Sequence, residues 1–448
     1  MGFFYYLTFL AIFRMTIELN NPKTVRAWYM YDWANSVYSL VITSSIFPIY
    51  YKAVAVSADG DNISFLGFTL KNSVLYSYAL SFSFLVVAAI LPLLSGVADY
   101  TGRKKFFMKL FVAIGSLSCM GLFFFKDINT LEWGIFCSIM ASIGFSGSLV
   151  FYNAFLPEIV TEDRYDMVSA KGFSMGYYGS VILMVVCMTL ILNYSAFGFA
   201  TEGFATRFTF LLVGMWWMGF SMITFAVLPE NPYGKNPGGK IWTKGYYEVL
   251  KVWQSLKDSP DMKKFLTSFF FYNMGVQTVM YLATLFGTDV LNLDTGKLIG
   301  TILLIQLVAS LGAWFFARVS KARGNKMALA IMIIIWIMVC LAAYVITSEL
   351  QFYILAAVVG LIMGGIQSLS RATYSKLIPE NTIDHASYFS FYDVTYNLSI
   401  VLGTFSYGLI NHLTGSMRNS ALALAVYFVI GLIVLSRIKA RDVSAPTP

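Results

Sequence analysis

The chain has 448 residues, 58% of them hydrophobic and only 12% charged, with a formal net charge of +8 and a mean hydropathy of +0.69. The charged share is about half that of soluble domains, which excludes a disordered chain, a disulfide scaffold and an ordinary cytosolic enzyme. Long apolar runs point to spanning helices, because a transmembrane barrel shows short alternating segments instead.

In chain order, residues 3–13 come first. They are apolar but too short to span, and they lack the basic start and cleavage site of a signal peptide. A polar stretch beginning at Met15 then leads into the first helix, so residues 1–14 are expected to be dispensable. Twelve apolar runs follow, at about 28–50, 74–98, 106–125, 133–155, 173–193, 208–228, 265–287, 298–318, 327–347, 351–371, 388–411 and 420–437. Each has about the length a spanning helix needs. The longest break, 229–264, separates six helices from six. The expected fold is an all-α polytopic membrane protein, with 12 transmembrane helices in two pseudo-symmetric six-helix halves. The expected divisions are an N-terminal cytoplasmic segment (1–27), the first half (28–228), the linker (229–264), the second half (265–437) and a cytoplasmic tail (438–448). Within the linker, Trp242, Tyr246, Val249, Leu250, Trp253 and Leu256 recur at helical spacing, with Lys244, Lys251 and Lys257 on other faces. This reads as an amphipathic helix that either lies on the inner membrane surface or packs on the end of the bundle.

Lysine and arginine set the orientation. With both termini cytoplasmic, 25 of the 31 fall inside and 6 outside. The positive charge is therefore topology and inner-leaflet attraction, not a nucleic-acid surface. Cys119, Cys137, Cys187 and Cys340 each sit in an apolar run without a close partner, so they read as small buried hydrophobes. With His385 and His412 the only histidines, no metal site or cofactor is expected.

The halves repeat. Gly102-Arg103-Lys104 follows the second span and Gly324-Asn325-Lys326 the eighth, at an offset of 222 residues. The same offset relates Tyr152 and Pro157-Glu158, closing the fourth span, to Tyr374 and Pro379-Glu380, closing the tenth. This is a two-half transporter pattern, with a site expected between the halves at mid-membrane.

Polar features break the apolar background at several places. Between the second and third spans, Gly96-Val97-Ala98-Asp99-Tyr100-Thr101-Gly102-Arg103-Lys104-Lys105 reads as a tight turn with a carboxylate at one helix end and a basic cluster at the next. Gly102 permits the turn. On the first span, Asp32, Asn35, Ser36, Ser39 and Thr43 form one stripe at helical spacing, which is expected to face a central cavity because lipid exposure is costly. Asp32 is the first choice for a proton carrier, the alternative being an ion pair that ties helices together. On the eleventh span, Asp393 is the other intramembrane carboxylate, sharing its face with Ser390, Tyr396, Asn397 and Thr404. Asn273, Gln277 and Thr284 share a face of the seventh span, while Tyr152 and Asn153 end the fourth and Gln367 to Arg371 end the tenth. Arg371 is expected to tie to Asp393 or to meet a substrate carboxylate, the tie being preferred.

The loop resembles G-x-x-x-D-x-x-G-R-[KR]-[KR], the signature of the major facilitator superfamily between its second and third helices. The resemblance implies an inner-gate role for Gly96, Asp99, Gly102, Arg103 and Lys104. In the second copy Lys321 replaces the aspartate, so only the first looks intact. Tyr31-Asp32-Trp33-Ala34-Asn35-Ser36, Phe151-Tyr152-Asn153-Ala154-Phe155-Leu156-Pro157-Glu158, Tyr272-Asn273-x-Gly275-Val276-Gln277-Thr278 and Gly364-Gly365-Ile366-Gln367-Ser368-Leu369-Ser370-Arg371 resemble the vacuole effluxer-like branch of that superfamily. The four blocks cover nearly the whole chain in order. The resemblance implies a gradient-linked exporter. Its fungal members are associated with moving amino acids out of the vacuole, and its bacterial members are mostly of unknown substrate. One departure is Met274, where the family often has an acidic residue, which adds weight to Asp32.

Two motif matches carry no chemistry. Gly172-Phe173-Ser174-Met175-Gly176 fits G-x-S-x-G, but it opens a membrane helix with no strand before it, and it reads as packing, as does Gly360-x-x-x-Gly364. Gly234 to Lys240 has phosphate-loop spacing, yet Ile241 replaces the required hydroxyl residue. The resemblance implies a facilitator that moves a small polar solute by alternating access, with amino acids the leading substrate class. Asp32 and Asp393 are expected to couple protons or another ion. Asn35, Ser36, Ser39, Tyr152, Asn153, Asn273, Gln277, Gln367, Arg371, Tyr392 and Asn397 are expected to contact substrate. A drug, organic-cation or sugar facilitator and a non-transporting receptor or scaffold are the alternatives. The expected setting is the lipid bilayer of a bacterial inner membrane, as a monomer without nucleic-acid partners.

Overall fold

The computed structural model describes residues 18–56, 60, 62–65, 67–230, 233, 235 and 238–439. Residues 1–14, the tail beyond 439 and Gly234 lie outside them, as does the side chain of Thr284. Helix α1, Pro22–Val54, starts where the sequence supplies a cap. Asn21 accepts the backbone N–H of Lys23 at 2.9 Å and of Thr24 at 3.3 Å, and Pro22 opens the first turn. Its middle, Tyr38–Ile46, winds as a π-helix, a rare form that is frequent at functional sites. A short antiparallel hairpin follows, β1 (Asn62–Phe65) pairing with β2 (Phe68–Lys71) across Gly67 at φ +83°. The all-α expectation did not include it, because strands of four residues leave almost no alternation to read.

The remaining helices are α2 (Asn72–Thr101), α3 (Lys104–Gly121), α4 (Leu131–Ala154), α5 (Tyr165–Leu192), α6 (Glu202–Val227), the linker helix α7 (Ile241–Asp258), α8 (Pro260–Leu291), α9 (Thr295–Arg323), α10 (Asn325–Val345), α11 (Glu349–Leu377), α12 (His385–Thr414) and α13 (Met417–Ser436). Thus α8 to α13 are the seventh to twelfth spans. Ten of the described helices are long and apolar enough to cross a membrane. The other two spans, α8 and α12, are diluted by the polar residues Asn273, Gln277, Asp393 and Asn397. The expected turn from Gly96 is shorter than read. Helix α2 continues through Thr101 and only Gly102, at φ +70°, and Arg103 break the chain.

The repeat in sequence is a repeat in packing. Helix α1 packs on α5 and α6 as α8 packs on α12 and α13, α3 packs on α4 and α6 as α10 packs on α11 and α13, and α2 packs on α4 as α9 packs on α11. Between the halves, α2 and α4 meet α12 as α9 and α11 meet α5. The swap relates every pair, as a two-fold axis through the bundle requires. Small residues permit the closest crossings. A Cβ on Gly364 would lie 1.9 Å from the Ala309 carbonyl oxygen, and one on Gly312 would lie 1.9 Å from that of Leu361. Gly176 does the same for α1 against α5, where a Cβ would come within 2.3 Å of Ser36 Oγ. Both glycine motifs are thus packing surfaces. All four cysteines are free and buried.

The linker helix packs on the end of the bundle, one of the two arrangements expected for it. Gly245 lies over Gly96 so closely that a Cβ on Gly96 would be 2.2 Å from the Gly245 carbonyl oxygen, and Val252 and Leu256 are buried. Trp242, Tyr246, Tyr247 and Trp253 remain exposed, as an interfacial helix requires. Lys251 reaches Asp384, just ahead of α12, at 2.5 Å. Burial works against the Lys251 ammonium, but the hydrogen bond and charge of Asp384 outweigh it and lift its pKa above the usual lysine value. The helix is therefore bolted to α2 in the first half and to α12 in the second. The end of the bundle carrying α7 is called the linker face below, and the opposite end the hairpin face.

Candidate functional site

A cavity of about 190 Å³ lies between the halves. The whole α1 stripe, Asp32, Asn35, Ser36, Ser39 and Thr43, lines it, so the π-helical stretch leaves the stripe on one side. Asn153 adds an amide from α4. From the second half come Asn273 and Gln277 of α8, Gln367 and Arg371 of α11, and Tyr392 and Asp393 of α12. Two expected contact residues stand behind the wall. The Tyr152 hydroxyl donates to Asp32 Oδ2 at 2.7 Å, and its ring stacks on Trp28 at 4.5 Å. Asn397 Nδ2 donates to Asp393 Oδ2 at 2.7 Å. Both position a carboxylate and neither lines the cavity. Phe173, Tyr177 and Gln306 line it without having been singled out from the sequence. Gln306 carried a legible signal, a lone amide in the apolar middle of the eighth span. Phe173 and Tyr177 did not, because aromatic residues in a glycine-rich helix read as packing.

The preferred tie between Arg371 and Asp393 does not form. Arg371 Nη2 lies 3.3 Å from Asp32 Oδ2. The rest of the guanidinium is held by the first half too. Nε donates to Ser169 Oγ at 2.9 Å, Nη2 to the Ser169 carbonyl at 3.0 Å and Nη1 to Asn153 Oδ1 at 3.2 Å. The Phe173 and Trp28 rings lie 4.3 and 4.8 Å from it. The physical reason is Gly172. A Cβ there would sit 2.3 Å from Asp32 Oδ2 and 2.9 Å from Arg371 Nη2, so only glycine leaves room for the pair. Asp393 is left with Asn397 alone, and among the described residues no cation pairs with it.

Toward the linker face the halves are closed by a second set of contacts. Asp99, at the end of α2, accepts the backbone N–H of Ala386 at 3.2 Å and of Ser387 at 2.6 Å. It thereby caps α12 from the other half, satisfying free amides and the positive end of that helix. Lys104 is buried, pairs with Glu158 and stands 3.9 Å from Asp99. Glu158 also accepts from the Tyr233 hydroxyl at 3.0 Å and lies 3.0 Å from His385 Nδ1. Arg103, expected in the gate beside Asp99, is exposed instead, because the turn at Gly102 points it outward and buries the next residue, Lys104. Gly96 serves as the seat of α7, not as part of the turn.

The second copy has no aspartate at the matching place, and the first half makes good the loss. Asp166 of α5 accepts from Ser320 Oγ at 3.0 Å, Asn325 Nδ2 at 2.8 Å and Lys376 Nζ at 2.9 Å. Two carboxylates of the first half thus clamp the second half on opposite sides of the axis.

Replacing Asp99 by alanine is expected to weaken this closure by about 1 kcal/mol, the value of a helix cap, or about fivefold in population. Ser39 lines the cavity and is exposed, and the native cysteines are buried, so Ser39→Cys is a clean reporter. Labelling of Ser39→Cys by an impermeant maleimide should then speed up from the linker face. An unchanged rate from that face would show that Asp99 does not hold the closure.

Comparison with known proteins agrees with this architecture. The family model described as "Vacuole effluxer Atg22 like" matches residues 20–443. The chain is 31% identical to the MFS-type transporter YxiO of Bacillus subtilis over 417 residues, covering 92% of this chain and 94% of that one. It is 23% identical to autophagy-related protein 22-1 of Emericella nidulans over 527 residues, covering 91% and 88%. Among solved structures, the transporter FucP in its outward conformation superposes with a TM-score of 0.70 at 11% identity, covering 94% of this chain and 99% of FucP. The human organic anion transporter MFSD10 superposes with a TM-score of 0.72 at 11% identity, covering 93% and 100%. These are transporters, not enzymes. The chain is a multi-pass membrane transporter of the major facilitator superfamily and belongs to its vacuole effluxer Atg22-like family.

Proposed function

We propose that the protein exports small zwitterionic solutes, amino acids first among them, by proton-coupled alternating access across a bacterial inner membrane, with the linker face cytoplasmic. The observation that carries the reading is the cavity itself: polar groups from both halves converge on it, while discrete ion pairs and helix caps close it toward one face. Breaking those contacts while the halves rock exposes the same groups to the other side. The 25-to-6 split of basic residues supports the orientation. Asp393 is the stronger proton carrier of the two carboxylates. Asp32, favoured from the sequence, shares its charge with Arg371, whereas Asp393 has no cation and a bound proton is what neutralises it. The aromatic walls from Phe173, Tyr177, Tyr272 and Tyr396 favour organic cations as a second substrate class.

The test is proton flux in proteoliposomes. Wild type, Asp32→Asn and Asp393→Asn are challenged with separate pools of amino acids, sugars and organic cations while internal pH is followed. Flux with the amino-acid pool that disappears in Asp393→Asn is the expected result. Flux only with sugars would refute the substrate class, and solute exchange without any proton movement would refute the coupling.

A further inference from the structure

The charged side chains lining the cavity are Asp32, Arg371 and Asp393. The first two neutralise each other, and Asn153 and Ser169 take three more of the five guanidinium N–H groups. Among the described residues, the cavity therefore has no unpaired cation for an anionic ligand and one carboxylate without a counterion. Asp393 is only 6% exposed, and the Asn397 amide takes its Oδ2, leaving Oδ1 without a hydrogen bond among the described residues. A second acceptor lining the cavity, on α9, is also unmatched: Gln306 is 9% exposed, and its Oε1 is buried with no donor among the described residues. Gln306 Oε1 is thus a buried acceptor without a donor, a place where another molecule can supply one.

We infer that Asp393 is a cation subsite that holds either a proton or the ammonium group of a primary-amine substrate, one at a time. The inference rests on the transport reading above and narrows it to amines and amino acids held by their amino group. Entry of R–NH₃⁺ then expels the carboxyl proton to solvent, and departure of the amine lets a proton return. Neither species leaves unless the other replaces it or the carboxylate stands unpaired in a low-dielectric site, which is costly. Exchange of one amine for one proton follows from there being one such carboxylate. The other titratable groups around Asp393 are Tyr392 and Tyr396 on its own helix, Tyr272 and Tyr281 on α8, Tyr177 on α5 and, beyond Tyr392, Arg371 on α11. Helices α2 and α4 line the cavity with no titratable side chain.

The experiment uses the purified full chain in detergent, with thermal shift and a pH dye as readouts. The probes are leucine and lysine, the amines isoamylamine and cadaverine, and the amine-free acids 2-hydroxyisocaproate and hexanoate. Amines and amino acids are expected to raise Tm and to release about one proton per bound molecule, while the amine-free acids do neither. Asp393→Asn is expected to abolish proton release and weaken amine binding more than about tenfold, and Asp393→Glu to restore both in part. Should Asp393→Asn fail to fold, wild type still decides. Its amine affinity must fall as pH is lowered, by up to about tenfold per pH unit. Amine binding independent of pH overturns the shared subsite. So does binding of the amine-free acids alone, an outcome that leaves the transporter reading standing. Absence of solute exchange with every pool in liposomes refutes that reading separately.

Discussion

Replacing Arg371 by alanine is expected to abolish transport and to cost the folded protein about 3–5 kcal/mol, the usual penalty for breaking a buried pair from one side. The loss strands Asp32, which is 5% exposed and, among the described residues, keeps only the Tyr152 hydroxyl as a partner. It also removes the one side chain of α11 that reaches Asp32, Asn153 and Ser169 of the first half at once. The measurement is Tm of the detergent-purified variant beside the double variant Asp32→Asn with Arg371→Gln. The double variant removes both charges and should recover most of the stability but none of the transport. A fall of less than about 3 °C for Arg371→Ala, or strictly additive single effects, would show that the pair is not a coupled element.

A single methyl group at Gly364 is expected to do comparable damage by a different route. The Cβ of Gly364→Ala would meet the Ala309 carbonyl oxygen at 1.9 Å, and that of Gly312→Ala would meet the Leu361 carbonyl oxygen at the same distance. Backbone cannot swing aside as a side chain can, so α9 and α11 must separate along the crossing that both glycines serve. The expected cost is about 3 kcal/mol, at the upper end of ordinary overpacking. Gly300 and Gly408 have nothing within 4 Å of an added Cβ, so alanine there is expected to be neutral within about 0.5 kcal/mol. Yield of monodisperse protein and Tm across the four variants test the contrast. Equal behaviour of all four would overturn the argument from close approach.

The closure at the linker face shows how a sequence repeat can decay without loss of its mechanical role. At Lys321 the second copy carries the opposite charge to Asp99, and the clamp is supplied by Asp166 from the facing helix. A carboxylate is needed at the interface, but either half can provide it, because what matters is its distance from the donors across the axis.

The sequence by itself determined the membrane class, the twelve spans, the two-half repeat and the polar stripe of α1. Each is a periodicity or a composition, set by the hydrocarbon thickness and the 3.6-residue turn, and neither depends on which helix touches which. The packing roles of Gly360, Gly364 and the Gly172–Gly176 stretch were legible for the same reason. Only the tertiary structure decided the partners. Whether Arg371 pairs with Asp32 or Asp393 depends on the gap that Gly172 leaves between α5, α1 and α11, three helices remote in sequence. Whether Arg103 or Lys104 is buried turns on the left-handed Gly102. That Tyr152 and Asn397 brace carboxylates from behind, while Gln306 faces the cavity, depends on the rotation of each helix in the bundle. Pairing energies are local in space, and spacing along one chain does not carry them.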